Sequence, residues 1–214
     1  MTTHESARQI ADCIIENCSG KTIVLLSGGS SAKVGIKVLQ LLPQEVLDTI
    51  TVSLTDERFV PFDSEDSNWK LLSSLGLNEI AVQKIAVLGQ NSDTREQVSA
   101  DFLKALTDAH AEAQFVVAIF GIGSDNHIAG ILPGTQAAKT SDRIVTDYAT
   151  DKFERITITP PFFRAIDFAF LYAEGTEKAA AVQLLQSSLD PINYPAQLLK
   201  ETNHWEILYN KEAL

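Results

Sequence analysis

Short apolar runs recur along the chain, and longer segments with helical spacing separate them. The runs typical of buried strands are 22–26, 50–54, 115–120 and 168–173. Shorter patterns predict further strands over 85–88, 143–147, 155–159 and 205–209. Helical spacing or helix-end residues predict helices over 4–18, from Ser31 to Leu42, over 69–75, 93–110 and 176–187. This alternation predicts an α/β fold: a doubly wound, mainly parallel sheet with helices on both faces.

The length of the chain and its even composition predict one domain. The 214 residues contain no internal repeat, no low-complexity tract and no convincing linker. A chain of this length can bury a substantial core. We therefore expect a single α/β domain over residues 1–214.

Composition and charge narrow the class of partner. Apolar residues make up 45% and charged residues 21%, and the net charge is −11, from 17 Lys+Arg and 28 Asp+Glu. Such a charge disfavours nucleic acid as a partner, but a few placed cations can still capture a small anion.

The sequence shows neither a membrane span nor a signal peptide. No apolar run is as long as a membrane span, which needs about 18 residues, and residues 1–6 lack a signal-peptide pattern. Cys13 and Cys18 do not form a metal or redox motif, so reduced thiols and a cytoplasmic location are expected. A monomer and a homo-oligomer are equally compatible with the sequence.

The loop that follows the run 115–120 carries the most chemistry. It runs from Gly121 to Gly134 and contains Asp125 and His127 between glycines. In open α/β sheets, ligands and catalytic groups collect at the carboxyl ends of central strands. His127 is therefore a candidate general base, although a structural histidine would fit the same pattern. His4, His110 and His204 lie in unrelated contexts, so no metal site is expected.

The same loop resembles the start of a dinucleotide-binding motif, because Gly121-Ile-Gly123 precedes Asp142 by about twenty residues. Asn126 occupies the third glycine position, however, and Pro133 with Gly134 interrupts any following helix. We therefore expect no nicotinamide cofactor, and no other cofactor is indicated.

A second loop, Ser27-Gly-Gly-Ser-Ser31, lies between a predicted strand and a predicted helix. Gly28 and Gly29 would let the backbone approach a ligand, while Ser30 or Ser31 would cap the helix or donate to a phosphate oxygen. An ordinary glycine turn with a serine cap is the alternative interpretation.

Charged residues at other element ends complete the candidate site. Thr55-Asp-Glu-Arg58 follows a predicted strand, and Arg58 would hold a substrate oxygen while Asp56 or Glu57 fixes the arginine. Arg155 opens another strand, and Lys178 lies where a strand meets a helix. A solvated turn and an isolated surface lysine are the corresponding alternatives.

These motifs occur in one order and together resemble the 6-phosphogluconolactonase family, within the glucosamine-6-phosphate isomerase superfamily. The similarity covers almost the whole chain, through Tyr194-Pro195 and the predicted strand that begins at Trp205. The motifs are Leu26-Ser-Gly-Gly-Ser-Ser31, Thr55-Asp-Glu-Arg-Phe-Val-Pro61 with Asp66-Ser-Asn68, Gly121-Ile-Gly-Ser-Asp-Asn-His127 with Leu132-Pro-Gly-Thr135, Arg155-Ile-Thr-Ile-Thr159 and Gly175-Thr-Glu-Lys178.

The resemblance implies metal-independent hydrolysis of 6-phospho-D-glucono-1,5-lactone to 6-phospho-D-gluconate, in the pentose phosphate pathway. It implies that His127 activates water, that Asp125 orients His127 or a substrate hydroxyl, and that Arg58 stabilises the oxyanion or binds sugar oxygens. The implied substrate and phosphate ligands are Gly28, Gly29, Ser30, Ser31, Asp56, Arg155 and Lys178.

Two features favour the lactonase branch over the deaminase branch of the superfamily. Arg58 follows the Asp-Glu pair where deaminases usually have tyrosine, and Leu132-Pro-Gly134 lacks the glutamate of the deaminase Asn-Glu-Pro-Gly. Asn126 replaces the usual glycine of Asp-Gly-His, and Gly130-Ile-Leu132 replaces Ser-Leu-Phe. Asn tolerates a positive φ angle better than most residues, so we expect Asn126 to preserve the loop backbone. The open alternatives are a sugar-phosphate-binding sensor that has lost catalysis, and an amino-sugar-phosphate deaminase or isomerase.

Overall fold

The main sheet of this computed structural model, which describes residues 1–89 and 94–211, has six strands. They are β1 (Thr22–Leu26), β2 (Ile50–Leu54), β4 (Gln83–Lys84), β5 (Phe115–Phe120), β8 (Phe168–Glu174) and β9 (His204–Asn210). Every neighbouring pair is parallel. All residues of β1 and β5 are buried, as expected for central strands covered on both faces. The α/β fold is thus confirmed, with 22–26, 50–54 and 115–120 at the predicted bounds.

The helices are α1 (Thr3–Asn17), α2 (Ser31–Leu41), α3 (Gln44–Leu47), α4 (Asn68–Ser74), α5 (Arg95–Glu112), α6 (Gln136–Lys139), α7 (Pro160–Phe163) and α8 (Ala179–Leu184). Three-residue-per-turn helices cover Leu77–Glu79, Thr176–Lys178 and Pro195–Glu201. Within the described residues, no helix is both long enough and apolar enough to cross a membrane.

The strand order β4-β2-β1-β5-β8-β9 places a switch point between β1 and β5. From β1 the chain builds the sheet outward through β2 and β4, and then returns to β5 and builds the other half. Connections on the two sides therefore diverge, and a crevice opens outside the carboxyl ends of β1 and β5. The loops that follow Leu26 and Phe120 both lead into this crevice.

A second sheet of three antiparallel strands was not anticipated by the sequence pattern. It contains β3 (Asp56–Arg58), β6 (Val145–Ala149) and β7 (Glu154–Ile158) in the order β3-β7-β6. The strands predicted over 143–147 and 155–159 are present with shifted bounds, and the short connection between them permits only an antiparallel pair. The register aligns Arg58 with Arg155, which brings two distant cations together.

Three further predictions needed correction. The strand predicted over 85–88 is wrong, because Gln83 and Lys84 pair with β2 and the apolar residues Val87 and Leu88 fill the core instead. The helix predicted over 93–110 begins at Arg95, and its predicted first residue lies outside the described residues. The helix predicted over 176–187 is shorter, since tighter i→i−3 hydrogen bonds replace the α-helical pattern at both ends.

Candidate active site

A cavity of about 200 Å³ opens at the switch point between β1 and β5. Its wall contains eight of the predicted site residues and six others. The predicted ones are Gly28, Gly29, Ser30, Asp56, Arg58, His127, Arg155 and Lys178. The others are Ser27, Asn68, Gly121, Ile122, Gly123 and Ala129. Asp125 and Ser31, the remaining two predicted residues, contact members of this wall.

His127 and Asp125 form a direct pair at the mouth of the cavity. The Nδ1 atom of His127 lies 2.6 Å from Oδ1 of Asp125, and the His127 side chain is 36% exposed. The His127 backbone N–H also donates to this carboxylate, at 3.2 Å. Burial raises the pKa of Asp125, but its contacts with His127 outweigh burial and hold that pKa below its ordinary value. The carboxylate is therefore ionised and directs the other ring nitrogen, Nε2, away from itself.

The backbone of the loop accounts for this geometry. The Gly123 N–H donates to the His127 carbonyl oxygen at 3.0 Å, and the Asn126 N–H donates to the Gly123 carbonyl oxygen at 3.0 Å. A Cβ atom at Gly123 would lie 2.1 Å from Nδ1 of His127, so only glycine leaves room for the pair. Asn126 has φ = 67°, which confirms the expected left-handed conformation.

The glycine loop after β1 leaves space for a ligand. Gly29 has φ = 68°, and a Cβ atom there would meet nothing within 4 Å, so this backbone faces open space. Ser30 caps α2 without a side-chain hydrogen bond and lines the cavity. The Ser31 hydroxyl instead donates to the Gly28 carbonyl oxygen at 3.0 Å, which stabilises the loop. The free end of α2 adds a favourable field for an anion.

The carboxylates of Asp56 and Glu57 have partners other than the Arg58 guanidinium that the sequence predicts. Oδ2 of Asp56 lies 3.4 Å from Nη1 of Arg155, while Arg58 donates from Nη1 to the Asp66 carbonyl oxygen at 2.7 Å. Glu57 is fully buried and accepts hydrogen bonds from the backbone N–H groups of Arg58, Asn68 and Trp69 and from the Ser67 hydroxyl. Burial raises the pKa of Glu57 although these bonds oppose the rise. Glu57 thus anchors α4, not an arginine.

Lys178 completes a cluster of three cations. It ends the short helix Thr176–Lys178, directly after β8, and lines the cavity with Arg58 and Arg155. Within the part of the chain that the structure describes, Asp56 is the one carboxylate that lines the cavity. The cavity is therefore locally positive although the whole chain is acidic, and it suits a small anion.

Asn68 is the main polar residue of the site to which the sequence pattern assigned no role. Its Nδ2 donates to the Asp56 carbonyl oxygen at 2.9 Å, and a Cβ atom at Gly28 would lie 2.1 Å from its Oδ1. The motif Asp66-Ser-Asn68 marked this position, but only the fold shows that α4 begins beside the glycine loop. Among the described residues, no three acidic, histidine or cysteine side chains group to hold a metal ion.

The fold and the site define a class: doubly wound α/β proteins whose cation-lined crevice lies beside an Asp–His pair at the switch point. Residues 1–208 match the model of the family described as glucosamine-6-phosphate isomerases/6-phosphogluconolactonase. The chain belongs to this family.

Curated relatives and solved structures agree with that assignment. The chain is 28% identical to a 6-phosphogluconolactonase from Synechocystis, over 91% of this chain and 84% of the relative. It is 26% identical to the human 6-phosphogluconolactonase, over 90% of this chain and 79% of the relative. A 6-phosphogluconolactonase structure from Shewanella baltica superimposes with a TM-score of 0.81 at 22% identity, covering 98% of this chain and 94% of that one. The last comparison establishes the fold alone.

Proposed function

We propose that this chain hydrolyses 6-phospho-D-glucono-1,5-lactone to 6-phospho-D-gluconate, in the pentose phosphate pathway. The observation that carries the proposal is the His127–Asp125 pair, with its 2.6 Å contact, at the mouth of a cavity lined by three cations. The family assignment and the relatives named 6-phosphogluconolactonase support the same reaction.

The phosphate of the substrate binds at the glycine loop and the cations. The N–H groups of Gly28, Gly29 and Ser30 and the end of α2 offer donors, while Arg155 and Lys178 supply positive charge. Asp56, beside Arg155, accepts a hydrogen bond from a sugar hydroxyl. Ser31 contributes by holding the loop through its bond to the Gly28 carbonyl oxygen.

The chemical step uses His127 as a general base. Nδ1–H of His127 donates to Asp125, so Nε2 is free to take a proton from water. The resulting hydroxide attacks the lactone carbonyl carbon, and Arg58 stabilises the oxyanion. When the bond from that carbon to the ring oxygen breaks, His127 returns the proton to the departing oxygen. A positioned base typically contributes about 10²–10⁴-fold in rate.

We further propose a single domain over 1–214 that acts in the cytoplasm without a cofactor and without nucleic acid or membrane partners. The two free cysteines, Cys13 and Cys18, support a reducing compartment. The cavity's positive lining supports a sugar phosphate, and the missing deaminase glutamate disfavours amino-sugar-phosphate chemistry.

A coupled assay that generates the lactone in situ tests the proposal. Loss of the lactone should accelerate in proportion to protein concentration above the spontaneous background, and a metal chelator should leave the rate unchanged. A spontaneous rate of decay, together with binding of 6-phosphogluconate, would favour the catalytically inactive sensor instead.

A further inference from the structure

Phe153 lies beneath both arginines of the cavity. The ring centroid is 5.1 Å from Cζ of Arg58 and 5.8 Å from Cζ of Arg155. These distances fall within the range of a cation–π interaction, about 6 Å. Phe153 is half-buried and lies in the turn between β6 and β7. The β3–β7 register is what brings the two arginines onto one ring.

The turn holds the ring in place. The Phe153 N–H donates to the Thr150 hydroxyl at 3.0 Å, and the Phe153 carbonyl oxygen accepts from the Thr150 N–H at 2.8 Å and the Thr150 hydroxyl at 2.7 Å. Three hydrogen bonds between two residues fix the backbone of Phe153. The backbone from which the half-buried ring extends is therefore held in one conformation.

The two guanidinium groups have few polar contacts of their own. Among the described residues, Nε of Arg58 and Nε of Arg155 are buried without a hydrogen-bond partner. Arg155 makes a long contact of 3.4 Å with Asp56 and is only 12% exposed, and Arg58 donates to one carbonyl oxygen. Hydrogen bonds alone therefore restrain the orientation of the two guanidinium groups only weakly.

An aromatic support suits a site that must bind an anion. A carboxylate partner would occupy the N–H donors of an arginine and neutralise its charge, whereas a ring contacts the guanidinium through its π face. The in-plane donors that Asp56 and the Asp66 carbonyl oxygen do not engage then remain available to substrate oxygens.

We propose that Phe153 is a positioning residue that orients Arg58 and Arg155 toward the ligand, a role that rests on the proposed function of the cavity. Phe153→Leu keeps an apolar side chain but removes the ring. It should raise KM and the Kd of 6-phosphogluconate by about 5- to 30-fold, the range for two cation–π contacts. It should also lower kcat, because Arg58 is the group that stabilises the oxyanion. Phe153→Tyr restores the ring and should return KM and Kd to within about twofold of the wild type.

A ligand-free measurement separates this proposal from the proposed function. In NMR spectra, Arg58→Lys and Arg155→Lys assign the Nε–H signals of the two arginines. Phe153→Leu should shift both signals because the ring current disappears, and Phe153→Tyr should leave them near their wild-type positions. This result is expected even if the wild type proves unable to hydrolyse the lactone.

Two controls sharpen the test. Phe115→Leu removes a ring at the start of β5, the end of that strand away from the cavity. It should lower the stability of the protein without changing the arginine signals or KM. The second control is Lys152→Ala. The exposed Lys152 ammonium lies 5.1 Å from the centroid of the Phe153 ring but does not line the cavity. Its removal should therefore change KM by less than about twofold. Unchanged arginine signals in Phe153→Leu, a tyrosine variant as weak as the leucine variant, or an equal loss in Lys152→Ala would each overturn the proposal.

Discussion

Asn126 shows at the residue scale how the loop retains its shape without the usual glycine. Its φ of 67° lies in the left-handed region, where asparagine is among the best tolerated residues with a side chain. Its N–H donates to Gly123, and its carbonyl oxygen accepts from the Ala196 N–H at 2.9 Å. The substitution therefore preserves the turn that aims His127 at the cavity.

Variants at position 126 test this account of the turn. Asn126→Gly should keep similar or higher lactonase activity and change the free energy of unfolding by less than about 1 kcal/mol. Asn126→Val should lose most activity, because a β-branched residue resists positive φ and would displace His127. Steady-state kinetics and urea unfolding of the three proteins provide the measurement. A fully active valine variant would show that the strain at this position has no consequence for His127.

Variants of the cavity's cations test which residues contact the phosphate. Arg155→Ala or Lys178→Ala should weaken 6-phosphogluconate binding by about 1.5–3 kcal/mol, the range for hydrogen bonds to charged groups. Titration calorimetry measures the loss, and unphosphorylated gluconate should bind weakly before and after each change. Lys33→Ala, which removes an exposed lysine from α2, controls for net charge. An equal loss of affinity for both ligands would show that Arg155 and Lys178 do not contact the phosphate.

The residue types of the site could be predicted from the sequence, but several of their contacts could not. Spacing of two residues did not guarantee that Asp125 touches His127, since the contact depends on the turn through Gly123 and Asn126. Asp56 and Glu57 are adjacent, yet alternation along β3 directs one toward Arg155 and the other toward α4. Such partners depend on tertiary packing between distant segments, which the local sequence does not reveal.

At the element scale, α4 begins where two side chains satisfy its free N–H groups. Ser67 accepts from the Lys70 N–H, and the Glu57 carboxylate accepts from the N–H groups of Asn68 and Trp69. This start places Asn68 in the wall of the cavity. A buried carboxylate thus links β3 to the position of a site residue.

Glu57→Gln tests that link. The amide would point N–H donors at groups that are themselves donors, so the free energy of unfolding should fall by about 1–3 kcal/mol, the cost of unsatisfied buried groups. Urea unfolding measures the change. Glu45→Gln, at an exposed position in α3, should stay within about 0.5 kcal/mol of the wild type. An unchanged urea midpoint for Glu57→Gln would show that α4 does not depend on this carboxylate.

The strands show where periodicity succeeds and where it fails. Uniformly apolar runs such as 22–26 and 115–120 identify central strands because both faces of a parallel sheet are covered. The apolar residues over 85–88 wrongly predict a strand, because Val87 and Leu88 pack in the core without belonging to any strand. The three-residue strand Asp56–Arg58 is entirely charged, so its membership in a sheet is visible only through its pairing with β7.

At the scale of the whole molecule, strand order decides where the chemistry lies. The sequence predicts alternating elements, but only the order β4-β2-β1-β5-β8-β9 makes the loops after β1 and β5 neighbours. The antiparallel sheet then adds Arg58 and Arg155, and the end of β8 adds Lys178. A chain with a net charge of −11 thereby concentrates three cations in one cavity.

The proposed hydrolysis depends on His127, held by Asp125, to activate water. The most direct test compares wild type and His127→Ala in the coupled lactone assay, together with calorimetric binding of 6-phosphogluconate. His4→Ala, which removes an exposed histidine of α1, serves as the control. We predict that His127→Ala folds and binds 6-phosphogluconate but loses about 10²-fold or more in kcat. A near-wild-type kcat in His127→Ala would contradict the account and make His127 a structural residue.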